Sequence, residues 1–262
     1  MKDTEIRFVS KPKIHSPIVI QGLPGIGLVG KIAADYLLSN VKAKKFCELV
    51  SPHFPPQVIT DEDGMVRLVR NEFYYFKDKK RDFIIIVGDF QGMSPESQYE
   101  ISGKILDVLE KYKPKVIYTL GGLGIGKVTK EPKVFGSTNS RALIASHKKA
   151  GVQFSGRAGG GIFGASGLVL GIGKLRGISG VCLMAETVGH VVDAKAAKVL
   201  LEKLSEVLKL KIDMRDLDKQ AKAAEKELEK IQRMQEEQAQ AMQMAMAGHK
   251  PSSDEEVMKY IR

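Results

Sequence analysis

Residues Gln21 to Lys31 read QGLPGIGLVGK, and the reading of that stretch decides the fold. It follows a short apolar run, Pro17–Ile20, and leads into Ile32, Ala33, Tyr36 and Leu37 at helical spacing. A buried strand, a glycine-rich turn and a helix from about Gly27 to Ser39 make a β-loop-α opening. The same letters fit two phosphate-binding patterns. Gly25, Gly27 and Gly30 spell G-x-G-x-x-G, while Gly25, Gly30 and Lys31 supply the glycines and lysine of a P-loop. Ile32 then stands where a P-loop carries the Ser or Thr that binds magnesium. A second stretch, GGLGIGK at 121–127, repeats the fault: Gly121, Gly126 and Lys127 fit, and Val128 does not. Two P-loops with the same defect read better as tight turns where backbones approach closely, which glycine permits. A dinucleotide site would also want an acidic residue ending a second strand, and none is clearly placed.

Outward from this opening, strands alternate with helices. Lys45–Val50 is a strand, SPHFPPQV (51–58) a proline-punctuated loop, and Asp63–Gly64 a turn ahead of short strands at Val66–Val69 and Glu72–Phe76. Phe83–Val87 (FIIIV) is an unbroken run for a central strand buried on both faces. Ser94, Pro95 and Glu96 form a helix start, and Ile101, Ile105, Val108 and Leu109 continue it at helical spacing. Lys115–Leu120 is a further strand, leading into the second glycine loop. Asn139–Lys149 is a helix, Ala165–Leu170 an apolar helix within a glycine-rich region, and Ile178–Ala185 a strand. Ala194–Leu210 is amphipathic, with Ala197, Leu200, Leu201, Leu204 and Leu208 on one side. The alternation predicts an α/β fold: a mainly parallel sheet in a three-layer α/β/α domain over residues 1–210.

Composition changes after that point. Arg215 to Ala247 holds no proline or glycine and is dense in Ala, Glu, Lys, Gln and Met. Leu217, Ala221, Ala224, Leu228, Ile231, Gln235, Gln238 and Met242 alternate four and three apart, the spacing of a coiled-coil seam. The two glutamines weaken its second half, so residues 211–248 read as a coiled-coil-like arm, a helical hairpin, or a helix lying on a partner subunit. Gly248 and Pro251 end it. Residues 249–262 form a tail with a polar hinge and a last apolar-aromatic segment, Val257, Met258, Tyr260, Ile261 and Arg262. Such an end suits a pocket that captures C-termini. A frayed end or a helix folded back on the body is the alternative.

Composition bounds the function. At 262 residues with 43% hydrophobic content the chain can bury a substantial core. No window approaches a membrane span, and MKDTEIRFVS lacks the apolar core of a signal peptide. Cys47 and Cys182 suit a reducing cytoplasm as small buried hydrophobes rather than a disulfide. The net charge of +10 permits an acidic partner, but the lysines are dispersed and no RNA-binding signature accompanies them. Few cysteines, no tryptophan and many charges also suit a heat-stable protein.

Candidate chemistry is sparse. Asp89, after Phe83–Val87, stands where an acidic strand end could help hold a metal, or where a core strand leaves the sheet. Glu186 and His190 would share a face if the chain is helical there, with Thr187 and Asp193 alongside. One such pair is short of the three or four ligands a metal needs, and a helix cap with a structural carboxylate is the plainer reading. His15, His53 and His147 have no partners by spacing. Gly164-Ala165-Ser166-Gly167 misses the nucleophile elbow. No catalytic constellation is complete, and neither a metal nor a cofactor is expected.

GLPGIGLVGKIAADYL (22–37), Gly88-Asp89 with Gln91, GGLGIGK (121–127), GIFGASGLVL (161–170) and Glu186-Thr187, in this order and spacing, resemble the proteasome-assembly-chaperone 2-like family. The match covers about Pro17 to Leu210, and the archaeal members are the most similar. The resemblance implies an α/β/α sandwich like that of nucleoside phosphorylases, without enzyme activity. It implies a cytoplasmic, ATP-independent homo-oligomer, a tetramer by expectation, that engages α-subunits of the proteasome core particle as an assembly chaperone or activator. It also implies a hydrophobic–Tyr–any ending that inserts between α-subunits. Here Tyr260 takes the hydrophobic place, Ile261 stands where tyrosine is expected, and Arg262 supplies the carboxylate; Met258 precedes them. The departure at Ile261 bears on gate opening more than on docking. The alternative function is a nucleoside- or nucleotide-binding enzyme using the loops near Gly25, Gly122 and Glu186.

Overall fold

Phe83, Ile84, Ile85 and Ile86 are each 0% exposed, as the FIIIV run requires. They lie in β7 (Arg81–Gly88), inside a sheet with helices on both faces. Because side chains alternate along a strand, one run serves two cores. Phe83, Ile85 and Val87 join Ile18, Ile20, Tyr118, Val181 and Leu183 on one face, and Ile84 and Ile86 join Val19 and Ile117 on the other.

The computed structural model describes residues 1–127, 129–154 and 160–221. Before β7 come β1 (Glu5–Phe8), β2 (Ile18–Gly22), β3 (Lys44–Val50), β4 (Val58–Thr60), β5 (Val66–Leu68) and β6 (Arg70–Asp78). After it come β8 (Val116–Gly124), β9 (Val134–Thr138) and β10 (Gly180–Thr187). The large sheet has the order β1-β3-β6-β7-β2-β8-β10-β9, and β4 pairs with β5 around the expected Asp63–Gly64 turn. Helices α1 (Val29–Ser39) and α5 (Ala194–Leu208) pack on one face; α2 (Pro95–Glu110) and α4 (Ala165–Leu175) pack on the other. A short helix, α3 (Ile144–Lys149), follows a 3-10 turn at Arg141–Leu143. The three-layer arrangement agrees with the expectation.

The sheet is mixed rather than mainly parallel. β7, β2, β8 and β10 run parallel, whereas β1, β3, β6 and β9 pair antiparallel. The reason is connection length. β6 and β7 are joined by a tight turn at Lys79–Lys80, with Lys79 at φ 57°, and so short a link allows only antiparallel pairing. The edge strands β1 and β9 have no counterpart in the sequence reading.

Local signals placed the helices well. Ser94 Oγ accepts from Ser97 N at 3.2 Å and Ser97 Oγ accepts from Ser94 N at 2.8 Å, a reciprocal cap with Pro95 at the first helical position. Such a cap contributes ~1 kcal/mol. On α5, Ala197, Leu200, Leu201, Leu204 and Leu208 are all buried, the side marked by their spacing. The compact body runs from Met1 to Ala221, past the composition change at Leu210. Leu217 is fully buried in the same core as Leu204 and Leu208, so this first seam position packs on the body. Ala221, the next seam position, is buried as well. The seam positions from Ala224 onward, the polar hinge and Met258, Tyr260, Ile261 and Arg262 lie outside the described residues.

Candidate functional site

The carboxyl ends of β2, β7, β8 and β10 gather most of the residues singled out by sequence. An open α/β sheet ordinarily receives ligands there.

In the first glycine stretch Gly22 and Gly30 meet backbone, while Gly27 faces the Thr187 hydroxyl and Gly25 meets only Gln91 Nε2 at 3.7 Å. A Cβ on Gly22 would lie 2.2 Å from the Gly30 carbonyl oxygen, and one on Gly30 would lie 2.1 Å from that of Leu120. Helix α1 therefore rests directly on β8, with no side chain between. Lys31, the would-be P-loop lysine, pairs with Asp35 one turn along at 2.8 Å. Burial raises the Asp35 carboxyl, and the Lys31 contact opposes that rise without cancelling it.

The second stretch is not a loop in its first half. Gly121–Gly124 continue β8 and pair in parallel with Met184–Thr187 of β10. A strand needs no large side chain where another backbone lies against it, and a Cβ on Gly122 would come within 2.4 Å of the Ile26 carbonyl oxygen. Val128 lies outside the described residues.

Asp89 is an ion-pair anchor. Its carboxylate accepts from Arg67 Nη1 at 2.6 Å, Arg67 Nη2 at 2.9 Å and Arg70 N at 3.0 Å, tying the end of β7 to β5 and β6. Burial alone would raise this carboxyl, but the Arg67 and Arg70 hydrogen bonds outweigh it and hold it below the usual range. Gln91 is a second tie. Its Nε2 donates to Pro24 O, and its Oε1 accepts from Ala165 N at 2.8 Å, the first residue of α4.

Glu186 and His190 do not share a helix face. β10 ends at Thr187 and α5 begins at Ala194, with bends at Gly189–Val191 between them and Gly189 at φ 108°. Glu186 Oε2 accepts from Lys133 N at 3.0 Å. Asp193 caps α5 by accepting from Ala196 N at 2.9 Å, accepts a hydrogen bond from the Thr187 hydroxyl at 2.7 Å, and donates its own N–H to Gly27 O at 2.9 Å. These contacts fit the structural-carboxylate reading. Among the described residues no three His, Cys, Asp or Glu side chains are grouped as metal ligands.

Buried polar groups elsewhere were not anticipated. His147 is 1% exposed; its Nδ1 faces the Leu143 carbonyl and its Nε2 faces Tyr118 Oη at 3.1 Å. A carbonyl only accepts, so Nδ1 carries the proton and Tyr118 donates to Nε2. Burial lowers the His147 pKa and keeps the ring neutral, against the raising effect of the Leu143 carbonyl. Burial likewise pushes the Cys47 thiol up to about 12 and Cys182 up to about 11, so both are inert core residues. Gln21 and Asn71 are 1% and 0% exposed, and their amide atoms make no hydrogen bond among the described residues; nor do Ser102 Oγ and Gln98 Oε1. A polar Gln21 within the apolar β2 run was the available sequence signal. Ile26, Met93, Phe163 and Val192, in connections between strands and helices, are exposed apolar residues.

Residues 19–232 match the profile of the PAC2 family. The chain belongs to the PAC2 family. Among solved PAC2-like structures it is similar to Pyrococcus furiosus PbaB, described as an archaeal proteasome activator. The two share 43% identity and a TM-score of 0.85, over 88% of this chain and 100% of that one. It is also similar to Pyrococcus furiosus PbaA, described as an archaeal homolog of proteasome-assembly chaperone, at 28% identity and TM-score 0.73, over 93% and 98% of the two chains. An uncharacterized protein of Methanocaldococcus jannaschii, MJ1210, is 40% identical over 248 residues, 95% of this chain and 93% of the relative. The suspected family is thus the right one, and the loops that suggested it are the packing joints described above.

Proposed function

We propose that this PAC2 protein is a non-enzymatic, ATP-independent homo-oligomer of the cytoplasm that docks C-terminal tails on the α-ring of the proteasome core particle, as an assembly chaperone or activator. The observation that carries this reading is the 43% identity to an archaeal proteasome activator over 88% of the chain. The spending of Gly22, Gly30 and Gly122 on backbone contact supports it, since those glycines then serve a scaffold rather than a phosphate. Met258, Tyr260, Ile261 and Arg262 are the residues assigned to docking. Several weak tails on one oligomer gain ~10²–10⁴-fold in avidity over a single tail when the geometry allows simultaneous engagement.

Deletion of Tyr260–Arg262 tests it. The truncated protein is expected to keep its circular dichroism spectrum and oligomer mass and to lose co-sedimentation with purified core particle. Unchanged co-sedimentation would remove the tail from the mechanism.

A further inference from the structure

We propose that a cavity at the amino ends of β2 and β8 binds the phosphate group of a small phosphorylated molecule, held by Lys13, His15, Ser16, Lys111 and Lys113. These residues line one cavity of about 440 Å³, within the ~300–1,000 Å³ range of small-molecule sites. It lies at the opposite end of the strands from the glycine joints. Topology builds it. β2 and β8 are parallel neighbours, with Ile18 beside Val116, so the segments leading into them run side by side. Those segments are KPKIHSP (11–17) and KYKPK (111–115). Two backbone bonds fasten them together: Ser16 N donates to Tyr112 O at 3.2 Å, and Lys115 N donates to Pro17 O at 2.9 Å. Lysines remote from one another in sequence are thereby brought around one space.

The charge there is one-sided. Lys13, Lys111 and Lys113 line the cavity and no carboxylate does. None of the three makes an ion pair among the described residues, and the carboxylates nearest in the chain are committed elsewhere. Asp82 accepts from His15 N at 2.8 Å and pairs with Lys77 at 3.3 Å, while Glu110 pairs with Arg176 at 3.0 Å. The Lys111 ammonium rests 4.7 Å from the centre of the Phe8 ring, which positions it without neutralising it. This chemistry selects the ligand. A phosphate brings ~1.5–2 negative charges and three acceptor oxygens to one point. Lysine binds it as a point charge, and the lining holds no guanidinium for planar, two-bond recognition of a carboxylate. An extended acidic peptide sets its same-side carboxylates about 7 Å apart, too sparse for three ammonium groups around one cavity.

Calorimetric titration of the full chain with inorganic pyrophosphate, in metal-free buffer at about 0.15 M salt, is expected to show one molecule bound per chain. Lys13, Lys111 and Lys113 are exposed, so their replacement spares the fold. Lys13→Gln, Lys111→Gln and Lys113→Gln should each weaken binding about tenfold or more. The control is the double variant Lys148→Gln/Lys149→Gln, two exposed lysines of α3 outside the cavity. It removes more charge than any single variant, yet should change the affinity by less than about twofold, because salt screens charges that do not touch the ligand. Absence of pyrophosphate binding, or an equal loss in the control, would overturn the proposal. Displacement of pyrophosphate by a short polyglutamate peptide would overturn it too, since the cavity would then serve the carboxylates of a protein partner.

Discussion

Gly30→Ala asks whether the first glycine stretch is a packing surface. The new Cβ would stand 2.1 Å from the Leu120 oxygen and 2.6 Å from its carbonyl carbon. Carbon and carbonyl oxygen settle at ~3.3 Å or more, so α1 must retreat from β8 by about 1 Å. The oxygen cannot swing away, because Leu120 sits inside β8 between β2 and β10. The retreat loosens Val29, Ala33, Ala34 and Leu37, each 0% exposed. Overpacking of this kind costs ~1–3 kcal/mol, offset by ~0.5–1 kcal/mol from replacing a helical glycine. A net loss of about 1 kcal/mol is expected, or about 2–4 °C in Tm. Gly171→Ala is the matched control: it lies within α4, and no atom comes within 4 Å of its Cβ position. With nothing to clash, it should gain ~0.5–1 kcal/mol. Urea unfolding of the full-length variants in one buffer gives both values, with opposite signs. A Gly30→Ala protein as stable as its parent would refute the packing account, since a ligand-cradling glycine could be replaced without cost to the fold.

Two further outcomes follow from the buried charges and the buried ring. Asp89→Ala removes the Arg67 fork and the Arg70 N–H bond and should cost ~1–3 kcal/mol at neutral pH by urea unfolding. Because the folded carboxyl titrates below its ordinary 3.8, this contribution is present above that value. It fades as pH falls through the folded one, so a parent-minus-variant difference unchanged at low pH would refute the assignment. His147 has a folded pKa below 6.5, so the unfolded chain binds the proton first. Stability is then full above 6.5 and falls as pH drops from there toward the folded value. Between pH 8 and pH 5 the parent should lose more stability than His147→Gln, and equal losses would show that the ring is not held neutral.

Much of the fold was written locally. FIIIV at 83–87 could only be a strand sealed on both faces, because five consecutive apolar side chains must point alternately into two cores. Ser94-Pro95 set the start of α2 through bonds spanning three residues, and the leucine spacing of α5 named its buried side. The paired defects of the glycine stretches already indicated packing over phosphate binding.

What the sequence could not determine depends on partners distant along the chain. Glu5–Phe8 alternates over only four residues, and its place at the edge is set by pairing with Cys47–Val50. The strand character of Gly121–Gly124 comes from Met184–Thr187 alongside, since glycine carries no strand preference of its own. Which glycine touches which carbonyl, and that Asp89 meets Arg67, required the tertiary structure. The stretch 21–31 thus carried both lessons: its letters announced a turn between strand and helix, and only the folded chain showed that β8 occupies the space a phosphate would need beside Gly30.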